Sequence, residues 1–240
     1  MKPPGSLILM GALTRLCLMG CANQSPPDSS LALGNIQDLP ADAPLVCLGD
    51  SLTAGHGATA PGEDDPANSY PAYLQHKISI PVINAGVSGD TSGAALARLQ
   101  AGVLVHNPRI VVIELGANDL FQRVAWQTTQ DNLKKIIEAL DNGERKLYLA
   151  KFYTEAVARD MLDGIVQDAG IQGWIIAQYD AMYRSLASAH RVEIIEDIWS
   201  GIWRAHMSDT IHPNAAGYAI MAERCFTALE PYLREQGLLK

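Results

Sequence analysis

Ile110-Val111-Val112-Ile113-Glu114-Leu115 runs directly into Gly116-Ala117-Asn118-Asp119. The run is β-branched and apolar on both faces, the pattern of a parallel strand buried on both sides. Helical patterns flank it. Residues 91–104 read as a helix, with Ala94, Leu96, Ala97 and Leu99 apolar. Residues 128–140 place Leu133, Ile136, Ile137 and Leu140 at helical spacing. Asn142-Gly143 follows, with a glycine suited to the left-handed conformation that ends helices. Further out, apolar runs at 45–48, 82–84, 146–152 and 192–195 read as strands. They alternate with helical stretches at 70–78, 173–190 and 215–233, and Asn214 is placed to cap the last. Residues 156–169 are ambiguous and read as a loop with a helical turn. Strands alternating with helices predict an α/β chain with a parallel sheet covered on both faces, a three-layer α/β/α sandwich. The reactive loops of such sheets lie beyond the carboxyl ends of the strands.

Three strand ends carry polar, glycine-rich turns. The first is Gly49-Asp50-Ser51-Leu52-Thr53-Ala54-Gly55-His56-Gly57, which puts a serine where a nucleophile would stand. A serine hydroxyl needs a neighbouring base to take its proton. Of the six histidines, His212 stands out. It lies in Ser208-Asp209-Thr210-Ile211-His212-Pro213-Asn214, ahead of the last helix. Asp209, three residues earlier, is spaced to reach the imidazole and hold its tautomer. Asp209 and Asn214 also suit plain turn and capping roles. Acyl transfer further needs donors aimed at a developing oxyanion. The Gly86 backbone N–H just past a strand, the Asn118 side-chain amide and the Ser51 N–H are the candidates. For Gly86 a simple loop role is the alternative, and for Asn118-Asp119 turn chemistry.

Composition narrows the classes. The chain has 240 residues, 48% of them hydrophobic, and a formal net charge of -8. That suits one packed domain and excludes nucleic acid as the expected partner, since phosphate contacts need clustered Lys and Arg. No Gly-x-x-x-x-Gly-Lys or Gly-x-Gly-x-x-Gly occurs, so no nucleotide cofactor is expected. His206, Asp209 and His212 lack a fixed carboxylate or cysteine set beside them, and no metal is expected. Thr53 stands where a Gly-x-Ser-x-Gly elbow needs its last glycine, so the ordinary α/β-hydrolase reading falls.

Residues 1–21 read as a targeting segment. Lys2 precedes an apolar stretch that Thr14 and Arg15 interrupt, too short to span a bilayer. It ends in Leu18-Met19-Gly20-Cys21, which resembles a bacterial lipoprotein signal and marks Cys21 for lipidation. An ordinary secretory signal, or a stretch that is not a signal at all, is the alternative. Residues 22–43, rich in Ser, Pro, Asp, Asn and Gln, read as a flexible tether, and 44–240 as the folded domain. The chain is thus expected as a monomer, lipid-anchored on the periplasmic side of a membrane. Of the remaining cysteines, Cys47 and Cys225 read as free buried thiols.

Four segments resemble the blocks of the SGNH (GDSL-type) hydrolases, in the family's order: Gly49-Asp50-Ser51-Leu52, Asn84-Ala85-Gly86-Val87-Ser88-Gly89-Asp90-Thr91, Gly116-Ala117-Asn118-Asp119 and Asp209-Thr210-Ile211-His212-Pro213-Asn214. The match is most like the bacterial thioesterase I/arylesterase/lysophospholipase branch and covers residues 44–233. The resemblance implies a flavodoxin-like sheet of order 2-1-3-4-5. It implies Ser51 as nucleophile, His212 as base, Asp209 as its orienter, and Ser51, Gly86 and Asn118 as the oxyanion hole. It implies small acyl esters, thioesters or lysolipids as substrates, with a carbohydrate O-acetyl esterase or a non-catalytic binding protein as alternatives. His56 departs from the branch, which commonly has tyrosine there; a loop side chain near the site is the plain reading. Residues 154–173 match the branch poorly. Phe121 and Trp203, with Trp126, Trp199 and Ile202, are candidates to wall a groove for an acyl chain. Packing of their loops onto the core is the competing reading.

Overall fold

The buried run at Ile110 sits at the centre of a five-stranded sheet. The computed structural model describes residues 39–151, 162, 166–196, 198–202 and 204–240. The leader, Cys21, most of the tether and Trp203 lie outside the described residues. In chain order the elements are β1 (Leu45–Gly49), α1 (Ser51–Ala54), α2 (Tyr70–Gln75), β2 (Val82–Gly86), α3 (Ser92–Ala97), α4 (Leu99–Gly102), β3 (Ile110–Glu114), α5 (Ala117–Phe121), α6 (Trp126–Leu140), β4 (Lys146–Ala150), α7 (Ala169–Ala189), β5 (Val192–Ile195) and α8 (Ala215–Glu235).

The strand order is β2-β1-β3-β4-β5, and every pair is parallel. β1 and β3 are buried along their whole length, as two-sided cover requires. Helices α2 and α8 pack together as one layer, and α3, α6 and α7 as another. The helices meet this core through single stripes. In α6 the stripe is Thr129, Leu133, Ile136, Ile137 and Leu140. In α8 it is Gly217, Tyr218, Met221, Ala222, Cys225, Leu229 and Leu233. Each fully buried Leu or Ile contributes about 2 kcal/mol relative to exposure. Cys47 and Cys225 are free and buried, and burial pushes the Cys47 thiol up to about 12.

The chain leaves β1 in one direction for β2 and later returns on its other side to β3. This reversal is the topological switch point of an open α/β sheet, where ligands bind beyond the carboxyl ends of the strands. Ser51, Ser88-Gly89 and Asn118 all follow strands that end there. Close backbone approach fixes the arrangement. A Cβ on Gly86 would lie 2.3 Å from the Ala54 nitrogen, so α1 can dock on the end of β2 only over a glycine.

Three elements differ from the sequence expectation. The single helix expected over 91–104 is α3, α4 and a short 3₁₀ turn, broken at Arg98. The Arg98 guanidinium bonds Asp90 Oδ2 at 2.6 Å and the carbonyls of Gly49 and Ala85 at 3.1 and 2.8 Å. This side chain ties the ends of β1 and β2 together, and holding it there interrupts the helix. α7 begins at Ala169 rather than at 173, because Asp168 caps it by accepting from Gly170 N and Ile171 N at 2.8 and 2.9 Å. Gly170 and Gly173 lower helix propensity and hide that start in the sequence. The strand expected over 146–152 ends at Ala150. Most of 156–169 lies outside the described residues.

Candidate active site

Ser51 is the first residue of a helix only four residues long. Asp50 caps this helix through Oδ1, which accepts from Leu52 N at 3.0 Å. The Ser51 N–H therefore stands at a helix start, without an intrahelical carbonyl to bond. Facing it, His212 Nε2 lies 3.1 Å from Ser51 Oγ, and His212 Nδ1 lies 2.7 Å from Asp209 Oδ2. The other oxygen of Asp209 accepts from the backbone N–H groups of Ile211 and His212, both at 2.8 Å. The aspartate so builds the turn and orients the imidazole at once; its turn role and its histidine-orienting role coexist. Burial works upward on the Asp209 carboxyl, but the hydrogen bonds from His212 and the two amides outweigh it and hold the group below the ordinary carboxylate range.

The Asp209 loop is strapped to the rest of the site. Ala215 N donates to Ala58 O at 2.8 Å, and the Tyr218 hydroxyl of α8 donates to His56 O at 2.7 Å. Gly57, at φ +76, lies against Ser208, which a Cβ would approach to 2.9 Å. Asn214 caps α8 by accepting from Gly217 N at 3.2 Å, as its position implies.

Asn118 opens the other side. Its Nδ2 donates to Asp50 Oδ2 and to Asp90 O, each at 3.1 Å, which locks the amide at the rim of the pocket beside Ser51. Asp119 reaches away into the core and accepts from Ser92 N and Ser92 Oγ at 2.7 and 2.5 Å and from Thr129 Oγ1 at 3.1 Å. It pins the start of α3 to α6, so Asn118-Asp119 is more than a turn.

Gly86 is corrected by the structure. Its N–H donates to Asn84 Oδ1 at 2.9 Å and is thus already taken, and Gly86 is not among the residues around the pocket over Ser51. The glycine that lines the pocket with Ser51 and Asn118 is Gly89, at φ +86. No acceptor among the described residues takes its N–H. Both glycines lie in one segment, and strand position alone favoured the wrong one. The strand runs through Gly86, and the chain turns toward the site only at Ser88-Gly89.

A pocket of about 250 Å³ opens over Ser51, bounded by His56, Ser88, Gly89, Asn118, Phe121, Ile211 and His212. Phe121 thus stands in the wall, with Ile211 as an apolar partner that the sequence did not single out. Trp126 lines a different pocket, with Leu120 and Trp174. Trp199 is in the core at 2% exposure, and Ile202 packs against that core.

Beneath the serine lies a pair of acids. Asp50 and Glu114 are both fully buried. Thr53 Oγ1 donates to Glu114 Oε2 at 3.2 Å. Burial pushes the Asp50 carboxyl up to about 7 and that of Glu114 well above its usual range, and the Asp50 charge adds to the rise at Glu114. Glu114 was hidden in the sequence, one polar letter within an apolar strand. The folded protein holds protons here that the unfolded chain releases near pH 4. Stability from this pair is therefore complete below about pH 4 and falls as the pH rises through about 7. Glu114→Gln, which keeps a hydrogen-bond donor but carries no proton to lose, is expected to raise Tm by about 3 °C at pH 8 and to change it little at pH 5. Calorimetry at the two pH values checks this; an equal shift at both would count against it.

Comparison with known proteins agrees with this geometry. The model of the GDSL-like Lipase/Acylhydrolase family matches residues 47–220. "Thioesterase 1/protease 1/lysophospholipase L1" of Escherichia coli K12 is 30% identical over 198 residues, 80% of this chain and 86% of its own. "Esterase TesA" of Pseudomonas aeruginosa is 28% identical over 91% of this chain and 98% of its own. Among solved structures, the crystal structure of TesA superposes with a TM-score of 0.63 at 26% identity, covering 78% of this chain and 98% of that one. With four ordered sequence blocks, the 2-1-3-4-5 sheet and these matches in agreement, the chain belongs to the GDSL-like lipase/acylhydrolase family.

Proposed function

We propose that this protein is a serine hydrolase that cleaves acyl esters and thioesters, lysophospholipids included, through an acyl-enzyme on Ser51. The observation that carries the reading is the unbroken line Asp209–His212–Ser51 at the floor of a pocket with an apolar wall. The names of the Escherichia coli and Pseudomonas aeruginosa relatives support it.

The steps follow from the geometry. Asp209 accepts from His212 Nδ1–H, which leaves Nε2 with its lone pair toward Ser51 Oγ. As Oγ bonds the substrate carbonyl carbon, its proton passes to Nε2 and the carbonyl π pair moves onto oxygen. The N–H groups of Ser51 and Gly89 are the donors free to meet that oxyanion, with the Asn118 amide beside them. Collapse breaks the bond to the alcohol or thiol, which leaves with the proton from His212. Water then attacks the acyl-enzyme, gives one proton to His212 and releases the acid, and that proton returns to Ser51. Asn118 Nδ2 is already bonded to Asp90 O, so the oxyanion shares or takes over that hydrogen. Asn118→Ala is expected to lower kcat about 100-fold on any acyl ester while changing KM little, the size of one lost oxyanion donor. Steady-state kinetics on one p-nitrophenyl ester decides it; an unchanged kcat would remove Asn118 from the hole.

The proposed setting is the periplasmic side of a bacterial membrane, with a monomer held by a lipid on Cys21 and by the 22–43 tether. Leu18-Met19-Gly20-Cys21 supports this. Incorporation of labelled palmitate into the wild type and not into Cys21→Ser would uphold it.

The deciding experiment for the activity pairs a fluorophosphonate probe with a panel of p-nitrophenyl esters and acyl thioesters from acetyl to palmitoyl. Labelling of Ser51 and turnover on medium or long chains are expected. Absence of both would overturn the reading. Turnover on acetylated sugars alone would assign the site to carbohydrate deacetylation instead.

A further inference from the structure

His56 in the pocket wall belongs to a second imidazole–carboxylate pair that the reaction above does not use. His56 Nδ1 lies 2.7 Å from Asp64 Oδ1, and Ser88 Oγ donates to the same oxygen at 2.6 Å. The His56 and His212 rings lie 4.4 Å apart between centroids and are tilted by 56°. His56 and Ser88 both line the pocket over Ser51. The wall on this side is polar, whereas Phe121 and Ile211 supply apolar surface. His56 is thus held by Asp64 and faces the space over Ser51.

The chemistry of the pair sets what it can bind. Burial works upward on Asp64, but the hydrogen bonds from Ser88 and His56 outweigh it, so the carboxyl lies below its ordinary range. An ionised Asp64 accepts the hydrogen on Nδ1. Neutral His56 then carries its lone pair on Nε2, and no partner among the described residues takes that nitrogen. It is an acceptor beside the pocket, and it calls for a hydroxyl donor. The location narrows the donor further. His212 must hand its proton to the departing oxygen, so atoms attached to that oxygen lie next to the His212 ring and hence next to His56.

We infer that His56, oriented by Asp64, is a specificity residue that binds a hydroxyl on the leaving group, favouring monoacyl esters of polyols such as glycerol. This rests on the acyl-ester reading above and narrows its substrate class. The charged and titratable groups around His56 are Asp64, His212, the Tyr218 hydroxyl that donates to His56 O and, behind His212, Asp209. All variants are assayed at one pH, 8, so that pH itself does not differ between them.

The test compares kcat/KM for glyceryl monobutyrate with that for ethyl butyrate, which presents the same acyl group without the hydroxyls. His56→Phe is expected to lower the glyceryl-to-ethyl ratio about fivefold, the worth of one neutral hydrogen bond. His56→Gln, which puts an amide oxygen near the place of Nε2, restores most of the ratio. Asp64→Asn, which can hand its own N–H to Nδ1 and force the proton onto Nε2, lowers the ratio in the same direction with His56 intact. An unchanged ratio in His56→Phe and Asp64→Asn overturns the inference. An equal loss on both esters also overturns it, because His56 then acts on His212 rather than on the leaving group. Either result, in an enzyme that still hydrolyses both esters and is inactivated by Ser51→Ala, leaves the acyl-hydrolase reading intact.

Discussion

Ser51→Ala is expected to lower kcat on a p-nitrophenyl acyl ester by about 10⁶-fold, with Tm within a degree or so of the wild type. The two halves of this expectation come from different contacts. The hydroxyl's contact is the one to His212 Nε2 at 3.1 Å, so its removal takes away the attacking atom. The short helix that carries it is held by other groups: Asp50 caps it, Thr53 bonds Glu114, and the Asn84 amide donates to Thr53 O at 2.8 Å. The frame is thus complete without the serine hydroxyl. A double variant, Ser51→Ala with His212→Ala, is expected to be no slower than Ser51→Ala alone, because a base has no task without its nucleophile. Full activity in Ser51→Ala would end the acyl-enzyme reading. A multiplicative loss in the double variant would show His212 serving a second role.

Asp209→Asn is expected to cost about 10⁴-fold in kcat, the scale seen when the carboxylate behind a catalytic histidine becomes an amide. The substituted side chain would keep an oxygen for the Ile211 and His212 amides, and the turn would survive. Its new N–H, however, faces His212 Nδ1, which pushes the imidazole proton onto Nε2 and blocks transfer from Ser51. The pH behaviour separates this from a folding defect. The wild-type Asp209 carboxyl is held low, chiefly by the His212 and amide hydrogen bonds that outweigh burial. Its contribution to stability is present above the ordinary carboxyl range and lost only as the pH falls through its lowered value. Asp209→Asn, which lacks that contribution, should therefore be slow at every pH from 6 to 9 while its Tm lies below that of the wild type by the same small amount throughout that range. Recovery of activity at high pH would contradict the tautomer argument.

How much of this was legible beforehand depends on the kind of signal. Ile110–Glu114 announces a buried central strand through β-branched residues alone, and the alternation around it predicts the covered parallel sheet that forms. Asp209, His212 and Ser51 are visible because their chemistry needs particular side chains in polar turns after strands. Gly86 and Gly89 show where such reading stops. A backbone donor has no side-chain letter, and only the course of the chain past β2 decides which N–H turns toward the serine. Arg98 and Glu114 were invisible for a related reason: each acts on atoms far away in sequence, the Gly49 carbonyl and the Asp50 carboxyl. His56 was conspicuous as a departure, but its partner Asp64 lies in a loop without periodicity, and only the fold brings the two together.

The glycine at 86 has a bearing on how this site can change. A single carbon added there would strike the backbone of α1, so the rear of the nucleophile helix has no room for adjustment, and drift in sequence is closed off at that point. The front is different. Phe121, Ile211, His56 and Ser88 sit on segments around the mouth and bear on the space over Ser51 rather than on its support. New substrates are therefore reached by exchanging mouth residues, and a library aimed at altered acyl or alcohol preference belongs at those four positions, with the ground behind Ser51 left untouched.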